Sequence, residues 1–495
     1  MKIQLVRLLV AGLAFWGINV PAATLYVNLN STNPVPPYTD WSIAATNIQA
    51  AVDAANTGDT VLVTNGVYAT GGRKWFDSGT NRVTLTNAVT LQSVNGPAVT
   101  LIVGSQVVGT GMALTNAVRC VGIGNNAVLS GFTLTNGEAG TGNYPMGGGV
   151  AYIYGSGGGV VSNCLLIGNL ATNSTGGGAY GVRLINCQIT GNYAADGGGA
   201  DNSTLYNCVL SGNSAQFGGG IYGGTANNCL IVSNVAINTG TGARGGGAYG
   251  AALSDCTVAA NSSGQQGGGV DESHTVQNCL IYYNSASFGP NINGGGIFTN
   301  CCTTPLPTGG RSNFTNAPLF VNLAAGDFHL QANSPCINSG YNAYTTATHD
   351  LDGNPRITGG TVDIGAYEYQ TPTSVISYAW LQQYGLPTDG SADNADPDGD
   401  GMNNYKEWIA GTDPTDPASI LKMLVPASTN NPPGLVVSWQ SVSDRTYYLQ
   451  RSADLSAQPA FFTIQSNITG QMDTTSFTDT NAVGLGPYFY RVGVQ

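Results

Sequence analysis

Charge is what this sequence has least of: 8% of its 495 residues are charged, 15 of them Lys or Arg against 27 Asp or Glu, with three histidines. If a leader carrying Lys2 and Arg7 is removed, 13 basic residues face the same 27 acidic ones. Such a balance repels polyanions, which excludes nucleic acid and anionic membrane as partners. Long apolar runs are as scarce. The one from Leu8 to Val20, behind Lys2 and Arg7 and ahead of Val20-Pro21-Ala22-Ala23, predicts a secretory signal over residues 1–23. It is shorter than the ~20 residues of a bilayer span. No later stretch could cross a membrane, so the expectation is an exported chain with no membrane insertion of the mature protein. Helical periodicity is missing from the middle of the chain, and no Lys-Ser/Thr follows its glycine runs, which excludes phosphate loops.

What is abundant is glycine, 71 residues of it, much of it in triplets. From Gly147 to Cys302 a unit recurs: GGGAYGVRLINCQITGN, GGGADNSTLYNCVLSGN, GGGIYGGTANNCLIVSN, GGGAYGAALSDCTVAAN, GGGVDESHTVQNCLIYYN. Cysteines 164, 187, 208, 229, 256, 279 and 301 mark steps of 23, 21, 21, 27, 23 and 22 residues, the period of a solenoid. Alternation with period two makes the units strands. The residue after each triplet (Ala179, Ala200, Ile221, Ala248, Val270) points inward. The next one (Tyr180, Asp201, Tyr222, Tyr249, Asp271) points outward as a column.

The Asn-Cys step puts cysteine in the core and Asn186 or Asn207 in a turn, where the left-handed region suits Asn. A second Asn column (Asn192, Asn213, Asn234, Asn261, Asn284) precedes a third inward strand. Three short strands in about 22 residues describe one coil of a parallel β-helix, stacked at ~4.8 Å per coil. Stacking sets the ladder cysteines too far apart for disulfides, so they read as buried thiols. Cys302 and Cys336 are the candidate bonded pair.

Before the repeat, Ile43, Ile48, Ala51, Val52 and Ala55 lie on one helical face, a cap for the open end of the coil stack. After it, HDLDGNPRITGGTVDIGAYEYQ spans residues 349–370. Together these segments resemble exported bacterial right-handed parallel β-helix proteins of the pectin-lyase-like superfamily. The DIGAYEY segment resembles the choice-of-anchor Q motif. The GGGA and ITGN steps are similar to repeats of chlamydial polymorphic outer-membrane proteins. The resemblance covers residues 24–370 and implies a fold more than a chemistry. The Asn-Thr-Asp, Asp-Asp, Gly-His-Gly and Arg-x-Lys steps of polygalacturonase-like enzymes are absent from residues 60–345. Asp271, Glu272 and His274 form the one dense titratable group of the repeats, with Asp201 three coil steps away.

Residues 371–419 form a linker holding DPDGDGMNNYKE. Asp396, Asp398, Asp400, the Met402 carbonyl, Asn404 and Glu407 occupy positions 1, 3, 5, 7, 9 and 12 of an EF-hand loop, with Gly401 at position 6. Calcium is the expected ion, with Asp413 and Asp416 as candidate extensions of the site. The loop resembles dockerin and thrombospondin type 3 repeats. Residues 420–495 alternate as strands around Trp439 and resemble a fibronectin type III β-sandwich.

The chain is therefore expected to be all-β: a parallel β-helix with a capping helix, a calcium-binding helical linker and a terminal sandwich. The function expected is that of a secreted protein binding an extracellular polysaccharide or cell-surface glycan through Tyr180, Asp201, Tyr222, Tyr249 and Asp271. The alternatives are a polysaccharide lyase or hydrolase and a purely structural surface repeat.

Overall fold

The computed structural model describes residues 22–75, 79–107, 116–140, 146–153, 158–237, 242–430, 432–484 and 486–495. The expected leader thus lies outside the described residues except for Ala22 and Ala23. Residues 24–311 wind as a parallel β-helix. A twelve-stranded sheet runs from Thr24–Val27 to Gly310–Arg311, and two ten-stranded sheets and a five-stranded one complete the coil walls. Successive coils pair parallel and in register, as in Arg183↔Thr204 and Gln188↔Val209.

Each full coil has four strand segments where the alternation predicts three. The additional one, Arg183–Ile185 in one coil and Thr204–Tyr206 in the next, belongs to the twelve-stranded sheet. Its single inward residue, Leu184 or Leu205, is fully buried, and three residues are too few for alternation to stand out.

Three separate constraints account for the glycine triplets. Gly197 sits in the left-handed region at φ 62°. A Cβ on Gly198 would collide with the Ser214 carbonyl of the five-stranded sheet, and one on Gly199 would lie 2.6 Å from the Gly220 carbonyl of the next coil. The triplet is thus the corner at which the chain folds back against its own next strand.

Inside the coils, Ala179, Ala200, Ile221, Ala248 and Val270 are buried, as are the seven ladder cysteines. All ten cysteines are free thiols. The Sγ atoms of Cys187, Cys208 and Cys229 donate to the carbonyls two residues back at 3.1–3.3 Å. Asn186 and Asn207, just before the cysteines, have φ of 53° and 52°, the left-handed turn the sequence predicts.

The second Asn column does more than mark a strand. Asn169, Asn192, Asn213, Asn234, Asn261 and Asn284 are buried and form a continuous ladder. The Asn213 Oδ1 accepts from the backbone N–H and the side-chain Nδ2 of Asn192 at 3.0 and 2.9 Å, while its own Nδ2 donates to the Ile189 carbonyl and to Asn234 Oδ1.

The capping helix is Ile48–Ala54, capped by Asn47, with Ile48, Ala51 and Val52 buried. At the other end, residues 314–392 fold back over the outer face of the second sheet, the ten-stranded one that contains Leu230–Val232. Phe320, Phe328, Ile337, Ile364 and Tyr378 cover Leu230, Leu280 and Cys302. The DIGAYEY segment straps the turn column there. Gly365 and Ala366 N–H donate to the Asn278 carbonyl and Thr257 Oγ1. The buried Arg356 guanidinium contacts Glu368 at 3.0 Å and Asp255 at 3.6 Å. His329, on the hairpin strand Asp327–Leu330, bridges Asp327 at 2.6 Å and Asp352 at 2.7 Å and so clasps that hairpin to the strap.

The terminal residues form two three-stranded antiparallel sheets around Val437, Trp439, Tyr447 and Leu449. Arg445 ties them to the linker helix Asn404–Ala410 by donating to the carbonyls of Ile409 and Trp408 at 2.9 and 3.0 Å. Among the described residues no helix is long and apolar enough to cross a membrane.

Candidate functional site

The column after the triplets is in register through Tyr180↔Asp201↔Tyr222↔Tyr249↔Asp271↔Asn293. Beside it runs a second line, Thr175↔Asp196↔Phe217↔Arg244↔Gln266↔Phe288. Each member of this line stands immediately before a coil's turn glycine and five residues before its partner in the column. The triplet corner folds the two lines side by side, and the column becomes the floor of a strip with a wall. Aligning the repeats on the glycines and reading backward would have found the wall.

The wall changes the character of the column. The sequence puts Asp201 and Asp271 on an open face, but they are 2% and 0% exposed. Asp271 is fully engaged: Arg244 donates to both its oxygens at 3.0 and 3.2 Å, and Asn293 Nδ2 donates to Oδ1 at 3.0 Å. Arg244 also reaches Glu272 at 3.0 Å and lies 5.4 Å from the Tyr249 ring centroid. Tyr249 stacks on Tyr222 at 5.4 Å and 14°, with Phe217 tilted against it at 5.5 Å. Both neighbours of Tyr249 along the strip are therefore taken.

Asp201 is different. Lying between Tyr180 and Tyr222 in the register, it has a buried Oδ1 with no hydrogen-bond partner. The Thr175 hydroxyl and the Asn202 N–H lie beside the carboxylate and hold its pKa down somewhat, but Asp201 Oδ1 and Thr175 Oγ1 have no partner at hydrogen-bonding geometry. Burial dominates, and with the Asp196 charge it pushes the Asp201 carboxyl up to about 6. Burial also raises Asp196. Nothing brings Asp201 and Asp271 together, since they are three coil steps apart, ~14 Å.

The second site is the linker loop. Asp396 accepts from Gly399 and Gly401 N–H at 2.8 and 3.1 Å, Asp398 from Asp400 N–H at 3.2 Å, and Asp400 from Met402 N–H at 2.6 Å. These turns gather the carboxylates of Asp396, Asp398 and Asp400 to within 4.8 Å of one another. Asp398 Oδ2, Asp400 Oδ2, Asn404 Oδ1 and Glu407 Oε2 are buried without partners. Burial first, then the charges of Asp398 and Asp400, pushes the Glu407 carboxyl up to about 7. A cluster of unpaired acceptor oxygens with no donor is the donor set a hard divalent cation takes. Asp413 and Asp416 instead accept from Thr415 and Ala418 N–H in their own turns. Cys302 and Cys336 share one buried cluster as free thiols, not the bonded pair the sequence suggests, and Cys302 Sγ donates to the Asn316 carbonyl at 3.2 Å.

No family model and no curated protein matches this chain. Among solved structures it is similar to pectate lyase Pel9A, at 17% identity over 71% of this chain and 98% of that one, with a TM-score of 0.47. It is similar to a rhamnogalacturonan lyase at 10% identity over 74% and 100%, with a TM-score of 0.37. It is also similar to the GH136 lacto-N-biosidase from Eubacterium ramulus at 12% identity over 55% and 66%, with a TM-score of 0.29.

Proposed function

We propose that the protein is a secreted carbohydrate-binding or surface-interaction protein. In this reading the strip between the glycine corners is its glycan site and a calcium ion in the linker loop holds its terminal sandwich in place. One observation carries the proposal. Among the described residues, carboxylate oxygens that are buried and unpaired occur only at Asp201 and in the linker loop, at Asp398, Asp400 and Glu407. Buried polar groups left without partners cost stability and call for a ligand or a catalytic role. At Asp201 the flanking Tyr180 and Tyr222 offer apolar rings with polar tips, and sugar hydroxyls offer the missing donors. In the loop, Asp396, Asp398, Asp400, Asn404 and Glu407 would hold calcium, with the Met402 carbonyl at the seventh position. The ion would supply charge neutralisation and rigidity.

The test is affinity electrophoresis of the full chain on a panel of polysaccharides. Retention should be lost when Tyr180 and Tyr222 are both replaced by Ser, with circular dichroism unchanged. Equal retention of that double variant would put the glycan site elsewhere on the chain, and no retention of the native chain on any polysaccharide would leave the purely structural repeat as the surviving reading.

A second reading, hydrolysis, is favoured by the proximity of Asp196 to an Asp201 carboxyl raised to about 6. Acid–base cleavage of a glycosidic bond uses one protonated and one ionised carboxyl group. New reducing ends in the same incubations, abolished by Asp201→Asn, would establish it. New unsaturated ends would point to a lyase instead.

A further inference from the structure

Resting on the glycan reading of the strip, we infer that its ligand presents hydroxyl groups and no carboxylates, so that the site takes a neutral glycan and rejects polyuronates. Along the strip lie Asp196 and Asp201 and, three coil steps on, Asp271 and Glu272, and the one arginine beside them is Arg244. Residues 116–303 contain two other arginines, Arg119 and Arg183, one histidine, the exposed His274 near Glu272 in the chain, and no lysine. Arg119 is buried and donates to the carbonyls of Met146 and Gly147 and to Asn81. Arg183 lies on the twelve-stranded sheet, 4.8 Å from the Tyr206 ring centroid, on a different wall of the coil.

Arg244 is already matched to two carboxylates, with only its Nη1 unengaged. Its Nε and Nη2 atoms hold both oxygens of Asp271, and Nη2 also holds Glu272. Turning it toward a ligand carboxylate would leave Asp271, which is 0% exposed, with an uncompensated buried charge. A polyuronate laid along the strip would therefore set a carboxylate on each sugar against carboxylates of the protein, with no cation to separate them. A neutral glycan meets no such opposition. The unpaired atoms at the Tyr180 end of the strip, Asp201 Oδ1 and Thr175 Oγ1, are an acceptor and a hydroxyl that can donate or accept, which sugar hydroxyls complement.

The experiment is affinity electrophoresis of the full chain in gels containing galactomannan, xylan, polygalacturonate or alginate, each run with calcium and with chelator, at about 0.05 and about 0.5 M NaCl. A neutral polymer should be retained, with a dissociation constant that changes less than about twofold over that salt range because no ion pair is screened. Retention should weaken at least about tenfold in Asp201→Ala. Tyr222→Ser should do the same, which covers the case of a misfolded Asp201 variant. Polygalacturonate and alginate should pass without retardation. Retention of either polyuronate that Asp201→Ala removes would overturn the inference while leaving the glycan site standing. Failure to retain any polymer, or retention untouched by both variants, would overturn the glycan site itself.

Discussion

At the scale of single residues, the fold rests on side-chain amides. Asn213 satisfies two donors of Asn192, the carbonyl of Ile189 and the oxygen of Asn234, all away from water. Replacing it by Ala removes a buried partner from each, and a buried group left unpaired costs ~1–3 kcal/mol. We expect Asn213→Ala to destabilise the protein by about 2–5 kcal/mol, read as a fall in the denaturation midpoint at unchanged slope. An unaltered midpoint would mean that the ladder is decorative. The other Asn column, at Asn186 and Asn207, was legible from sequence because its cause is local: a left-handed turn that Asn tolerates. The ladder was visible as a column but not as a hydrogen-bonded one, since its partners lie 21–27 residues away and meet only once coils have stacked.

Among the elements, the strap over the second sheet carries a pH dependence. Burial pulls the His329 imidazole down, but hydrogen bonds and charge from Asp352 and Asp327 outweigh it, so its pKa is raised above 6.5. A cation stabilised by folding contributes fully below the unfolded value and loses that contribution as pH rises through the raised folded one. The native melting temperature should therefore fall between about pH 6 and 8 more than that of His329→Gln, measured by scanning calorimetry in matched buffers. Parallel slopes for the two proteins would discount the clasp. Sequence reading recovered the column that floors the strip and the capping helix, although Ile43 falls in a separate turn, Trp41–Ile43, ahead of it. It missed the wall because the wall's residues, from Thr175 to Phe288, share no chemistry. They share only a position relative to glycine, so no motif marks them, and their burial of Asp201 and Asp271 is a tertiary effect.

In the whole molecule, one short helix connects the acidic linker loop to the terminal sheets. The loop carboxylates precede Asn404–Ala410, and the carbonyls at its far end receive Arg445. An ion that orders the first turn of that helix also orders the anchor of the sandwich. A ligand present at a hundredfold its dissociation constant adds ~2.7 kcal/mol to the folded state. For a module of this size that is about 4–8 °C in melting temperature. In the full chain, excess calcium over chelator should raise the transition of the terminal part by that amount, and Asp400→Ala should abolish the difference. Identical thermograms with and without calcium would refute the assignment.

The glycine corners and amide ladder also make the number of coils a free variable. Asn192 and Asn213 occupy equivalent places one turn apart, and the segment from Tyr193 to Asn213 is a single lap of 21 residues. Excising it would join Asn192 to Ser214, which already pairs with Tyr193, and would present Asn234 to Asn192 with every acceptor still opposite a donor. The stack would shorten by ~4.8 Å, and Asp201 would leave with the lap. Duplication of a lap would lengthen the strip by the same increment. A protein built this way can be lengthened or shortened by gain or loss of whole turns, without redesign of its interior.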